Sequence, residues 1–129
     1  MTFADLDQAE ATLGKPVTSM TDSELVSYLK LSVRHHQGIE LSVDGIPERA
    51  VMASLKRTYG HRAGQIVKWA AWRHDSQFKG QIIGYFSFTK GRKWFCDMLD
   101  TEMQQHLKVE ATQAVSDQAA AGLARLADL

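Results

Sequence analysis

The chain has 129 residues, 44% of them hydrophobic and 23% charged, and its fifteen Lys and Arg balance its fifteen Asp and Glu. That length supports one domain with a real core, burying roughly two-thirds of the unfolded surface on folding, and the near-average composition argues against wholesale disorder. No apolar run approaches the roughly 20 residues of a membrane span, the acidic start MTFADLDQAE lacks a signal-peptide layout, and the single Cys96 admits no internal disulfide, so a cytoplasmic protein is expected.

The balanced charge is strongly segregated along the chain. Residues 1–27 carry five acids against Lys15. Residues 28–93 carry twelve Lys or Arg against four acids, and residues 94–129 six acids against Lys108 and Arg125. A basic block attracts phosphate or acidic partners. The same pattern also fits acidic ends that fold back and neutralise the middle, within one chain or in a homo-oligomer.

Residues 1–20 read as an acidic N-terminal segment with a weak helix over 3–13 (Phe3, Leu6, Leu13), closed by Gly14 and the Lys15-Pro16 break. In TDSELVSYLKLSVRHHQG, Thr21 and Glu24 form a capping box, because each side chain can satisfy an orphan amide at a helix start. Leu25, Leu29 and Val33 then recur on one helical face, and Gly38 suits the left-handed residue that ends it. Next, Ile39, Leu41 and Val43 alternate with Glu40 and Ser42, which predicts a short strand turning at Asp44-Gly45. Pro47 opens a helix with the face Val51, Leu55 and Tyr59; Gly60 interrupts it, and a second helix follows over 61–74. GQIIGYFSF reads as a second strand region, with Ile82, Phe86 and Phe88 on one side. A long helix is predicted from Thr89 to about Ala114. The Ala-rich tail 115–129 extends that helix or forms a separate one after Gly122. Residues 21–114 are thus read as a mainly α globular domain with a small β component.

The order helix, strand, helix, helix, strand, helix over residues 22–88 resembles a winged-helix domain with an appended C-terminal helix, and LKRTYGHRAGQIVKW can be laid on a helix-turn-helix. Gly60 sits at the turn, and Leu55, Tyr59, Ile66 and Trp69 fall on the buried positions. Lys56 and His61 depart from the motif, standing where a small and an apolar residue are usual. The resemblance implies that helix 61–74 reads DNA through Arg62, Gln65, Lys68 and Arg73, since Arg and Gln can bond base edges and Lys phosphates. Trp69 is assigned to the core. Trp72 and Tyr85 are candidate anchors for a protein partner, because exposed aromatics carry interface energy.

The five histidines and Cys96 show no metal-ligand spacing, since the adjacent His35 and His36 point about 100° apart on a helix. No metal or cofactor is expected. Nor does the chain contain a nucleophile elbow, phosphate loop or zinc-protease motif, and a non-enzymatic role follows. Cys96 would act as a nucleophile only with a histidine such as His61 or His74 beside it in space.

FSFTKGRKWFCDML, residues 86–99, combines three cations with four aromatics. A helix starting near Lys90 would place Trp94, Phe95, Met98, Leu99, Met103 and Leu107 on one apolar stripe, so these aromatics are assigned to the core. Lys90, Arg92 and Lys93 then lie in a first turn, where the helix dipole disfavours cations, and they are candidate phosphate ligands. On these residues the chain reads as a small nucleic-acid-binding accessory or regulatory protein, DNA before RNA, of a kind phages and mobile elements carry. The alternative is an adaptor or inhibitor that binds a larger complex through its acidic ends and exposed aromatics.

Overall fold

The computed structural model describes residues 3–42, 45–77 and 84–127, with the side chains of 73–77, Lys90 and 117–127 left aside. Five helices follow one another: α1 (Gln8–Leu13), α2 (Asp22–Gln37), α3 (Ile46–Tyr59), α4 (Arg62–Gln77) and α5 (Lys93–Ala127). Short 3₁₀ turns lie at Val17–Ser19, Tyr85–Phe88 and Lys90–Arg92. The fold is all-α, with no strand among the described residues.

The helix starts are set by local chemistry. Thr21 Oγ1 accepts from the Glu24 amide at 3.2 Å and Glu24 Oε1 from the Thr21 amide at 3.0 Å, so the predicted capping box forms. Asp7 and Glu10 make the same reciprocal pair at α1. Gly14 and Gly38 end α1 and α2 with φ of 77° and 70°, a region that favours glycine.

The core lies around α4. Ala63, Ile66, Val67, Trp69, Ala70 and Ala71 are all buried, and α4 packs against α2, α3, α5 and the Val17–Ser19 turn. Leu25, Tyr28, Leu29 and Val33 of α2, Met52 and Leu55 of α3, and Phe95, Leu99 and Met103 of α5 fill the space around it. Each fully buried aliphatic or Phe side chain contributes about 1.5–3 kcal/mol relative to exposure.

Two expectations from the sequence require correction. The period of two at Ile39–Ser42 is real, since Ile39 and Leu41 are half-buried while Glu40 and Ser42 are exposed. Residues 39–42 nonetheless form no strand: among the described residues no second strand offers the ladder of hydrogen bonds that β-structure needs. Val43 and Asp44 lie outside the described residues. The expected strand 80–88 is replaced at its described end by the 3₁₀ turn Tyr85–Phe88, which seats Tyr85 and Phe88 in the core. Residues 78–83, which include the first part of that expected strand, lie outside the described residues. At the C-terminus, the Ala-rich tail prolongs α5 to Ala127 without a break at Gly122.

Candidate nucleic-acid interface

The segment 84–100 turns the chain from the 3₁₀ turn at Tyr85–Phe88 into α5. The extended Thr89 (φ −69°, ψ 160°) separates the two 3₁₀ turns. Its hydroxyl donates to the Phe86 carbonyl at 3.1 Å, and its own carbonyl accepts from the Arg92 amide at 2.9 Å. Below this junction Phe88 and Phe95 are buried. Above it Phe86 and Trp94 are exposed, at 59% and 66%. The assignment of Trp94 to the core is therefore wrong. The buried stripe of α5 runs through Phe95, Leu99 and Met103, while Trp94 heads the outer face carrying the exposed Thr101, Gln105 and Lys108.

Three cations collect at this end. The Arg92 guanidinium carbon lies 4.8 Å from the Phe95 ring centre and 5.9 Å from that of Trp94. Arg57, exposed on the last turns of α3, and Lys93, the first residue of α5, line a cavity of 320 Å³ together with Ser54, Thr58, Thr89 and Cys96. Lys93 Nζ is 2.9 Å from Asp97 Oδ2, the pair expected from i, i+4 spacing, and the Tyr59 hydroxyl donates to Asp97 Oδ1 at 2.6 Å. These two hydrogen bonds hold the Asp97 carboxyl below its usual range. Burial and the Asp97 carboxylate raise the Tyr59 phenol, so it stays a donor. Burial, with Asp97 adding to it, pushes the Cys96 thiol up to about 11, which keeps the floor of the cavity uncharged. Asp97 is thus taken up by Lys93 and Tyr59, Arg57 and Arg92 have no ion pair among the described residues, and the first turn of α5 adds the positive end of its dipole.

The predicted reading helix is placed differently. Lys68, expected on its outer face, is 3% exposed; it pairs with Glu10 and donates to the carbonyls of Phe3 and Asp5 at 2.6 and 2.8 Å. It is a tether for the N-terminal segment. Arg62 grips Asp100 with two hydrogen bonds of 3.0 and 3.2 Å, which raise its pKa further. Gln65 is half-buried in a small cavity beside Phe3. The side chain of Arg73 lies outside the described ones. Between residues 63 and 71 only Gln65 is not buried, so this stretch has no free face to lay in a groove.

The two proposed partner anchors also turn inward. Tyr85 is 3% exposed, its hydroxyl donates to the Val26 carbonyl at 3.2 Å, and burial raises it to about 12. Trp72 is half-buried, edge-on to Phe3 at 5.2 Å, with its indole N–H given to Asp7 at 3.3 Å. Of the cations expected to bind phosphate, Arg92 and Lys93 stand together at the start of α5, and the side chain of Lys90 is not among those described. Arg57, Phe86 and Trp94 were missed. The run of polar residues at Thr101, Gln105 and Lys108, at helical spacing from Trp94, was the available signal. No protein-family model, no curated protein and no solved structure matches this chain.

Proposed function

We propose that this is a small, non-enzymatic nucleic-acid-binding protein of accessory or regulatory type, which holds phosphates where the end of α3 meets the start of α5. The observation that carries this reading is that Arg57 and Lys93 line one cavity with Ser54, Thr58 and Thr89, while Arg92 immediately precedes Lys93 at the helix start. Charges of one sign at the unfavourable end of a helix dipole cost stability in the free protein and gain from an anion. Elsewhere the acidic ends do neutralise the basic middle: Asp22 meets Lys56 at 3.1 Å, Glu10 meets Lys68, and Asp100 meets Arg62. At the α3–α5 junction Arg57 and Arg92 have no such ion pair among the described residues, and Lys93 is paired with Asp97 on its own helix.

The test is binding to nucleic acid at several salt concentrations. Affinity should fall with a log–log slope of about −0.9 per phosphate contacted on duplex, or about −0.7 on a single strand. Arg57→Ala with Lys93→Ala should flatten that slope by about 1–2. Absence of binding at low salt rejects the reading.

The second reading, a protein adaptor, has its own support in α5. Past Glu110, whose carboxylate accepts from the Phe3 amide at 2.8 Å, residues 111–116 are all exposed, Val115 at 66%. Capture of a partner that is lost on truncating α5 after Glu110 would favour it.

A further inference from the structure

We infer that the ligand at the α3–α5 junction is single-stranded nucleic acid, with an unpaired base stacked on Trp94 while neighbouring phosphates meet Arg57, Arg92 and Lys93. The inference rests on the nucleic-acid reading above and narrows it.

Three observations lead there. First, the two most exposed aromatics among the described residues, Trp94 and Phe86, flank the cations within one nine-residue stretch. An indole left 66% in water loses burial that its neighbour Phe95 enjoys, and its face is open to a planar partner. Every base has such a face, so stacking tolerates any sequence but needs a base that is not already stacked in a duplex. Second, Arg92 is half-buried and held against the Phe95 and Trp94 rings rather than by a carboxylate: among the described residues it has no ion pair, and its Nε is buried without a hydrogen-bond partner. Its charge is therefore not neutralised by a carboxylate, and it stands beside the indole, where a strand stacked on Trp94 must bring its backbone. Lys93 and Trp94 are consecutive, about 100° apart around α5, so a strand crossing the helix start meets cation and ring in turn. Third, the alternative route into a duplex is closed over residues 63–71 of α4, where only Gln65 is not buried. A duplex could engage only the cations.

A protein partner would use Trp and Arg as well. Arg57 and Arg92, with no ion pair among the described residues, favour the polyanion.

The experiment titrates the full chain with oligothymidylate and with a duplex of equal length, following tryptophan fluorescence at two salt concentrations. Trp69 is buried and Trp72 half-buried, so the quenchable signal belongs to Trp94. Quenching by the single strand that disappears in Trp94→Phe supports the proposal. Trp94→Ala should weaken single-strand binding by about tenfold or more while leaving the salt slope unchanged, because a stacking contact releases no counterions. Arg57→Ala should do the opposite, flattening the slope and preserving the quench. Since Trp94 is exposed, thermal melts of its variants should match the parent, which separates loss of binding from loss of fold. Equal affinity for duplex and single strand, with Trp94→Ala neutral on both, would overturn single-strand selectivity and leave nucleic-acid binding standing. No binding to either polymer at low salt overturns both.

Discussion

Lys68 Nζ lies 2.5 Å from Glu10 Oε1, and neither side chain is more than 3% exposed. The pair joins α4 to α1 through the interior. Lys68 also donates to two carbonyls of the N-terminal segment, and Glu10 accepts from the amides of Asp7 and Val17. Removing one partner leaves a buried charge uncompensated, which costs about 3–5 kcal/mol. Lys68→Met and Glu10→Gln should each lower unfolding free energy by that order in urea titrations. Because they share one network, the double variant should cost less than the two losses added, by about 1 kcal/mol or more. Additive losses would mean the pair is not coupled.

Gly64 makes a second prediction, one of sign. In a helix interior Gly→Ala ordinarily gains about 1 kcal/mol. Here a Cβ would press on the backbone of Val17, whose carbonyl carbon would stand 2.8 Å away. Backbone cannot swing aside as a side-chain end can, so Gly64→Ala should destabilise by about 1–3 kcal/mol. Gly91→Ala is the control: nothing lies within 4 Å of the added carbon and φ is not positive, so melting should be unchanged or slightly raised.

These residues also show what was legible in the sequence. The helices over 22–37, 46–59 and 62–77 follow from a capping box, Pro47, Gly38 and apolar spacing, all local signals that the tertiary structure left intact. Lys68 was misread because its partners come from residues 3, 5 and 10, far along the chain; a cation is usually exposed unless such a mate exists. Tyr85 was misread for the same reason, since its acceptor is Val26. Ile39 and Leu41 gave a true alternation, but a strand is a property of two segments and periodicity reports only one. Trp94 was misread through width: an apolar stripe read too broadly takes in the residue at its edge. Of the candidate site, Arg92 and Lys93 were visible from charge and position, whereas Arg57 needed the packing of α3 against the start of the last helix.

Glu24 sets a pH dependence. The Lys15 ammonium at 2.7 Å, with the Thr21 amide next in weight, lowers its carboxyl from 4.5 to about 2. A depressed acid contributes stability that is fully present above its unfolded pKa and lost as pH falls through the folded value. The Glu24 contribution should therefore be intact at pH 6 and disappear between about pH 4.5 and 2. Glu24→Gln should reduce stability at pH 6 and make the acid limb of a stability–pH curve shallower over that window. The difference from the parent should close near pH 2. Added salt should shrink the Lys15 part of the effect, because the pair is partly open to solvent. A constant difference from pH 6 to pH 2 would show that titration of this carboxyl is not the cause.

Cys96 lines the cavity at the α3–α5 junction, yet it is 1% exposed and its thiol is raised to about 11, by burial first and by Asp97 second. The nucleophile in thiol chemistry is the thiolate, so at pH 8 the folded protein should react with a thiol-specific disulfide reagent far more slowly than the unfolded chain. Asp97→Asn removes a raising charge but also leaves only one acceptor oxygen for Tyr59 and Lys93 together, so it should speed labelling chiefly by loosening the junction. Cys96→Ser should leave nucleic-acid binding unchanged, because the phosphate contacts proposed here come from Arg57, Arg92 and Lys93. If a polyanion fills the cavity, saturating oligothymidylate should slow labelling of the parent further. Rapid labelling at pH 8, unaffected by denaturant, would instead place Cys96 on an open surface and remove the floor from the proposed site.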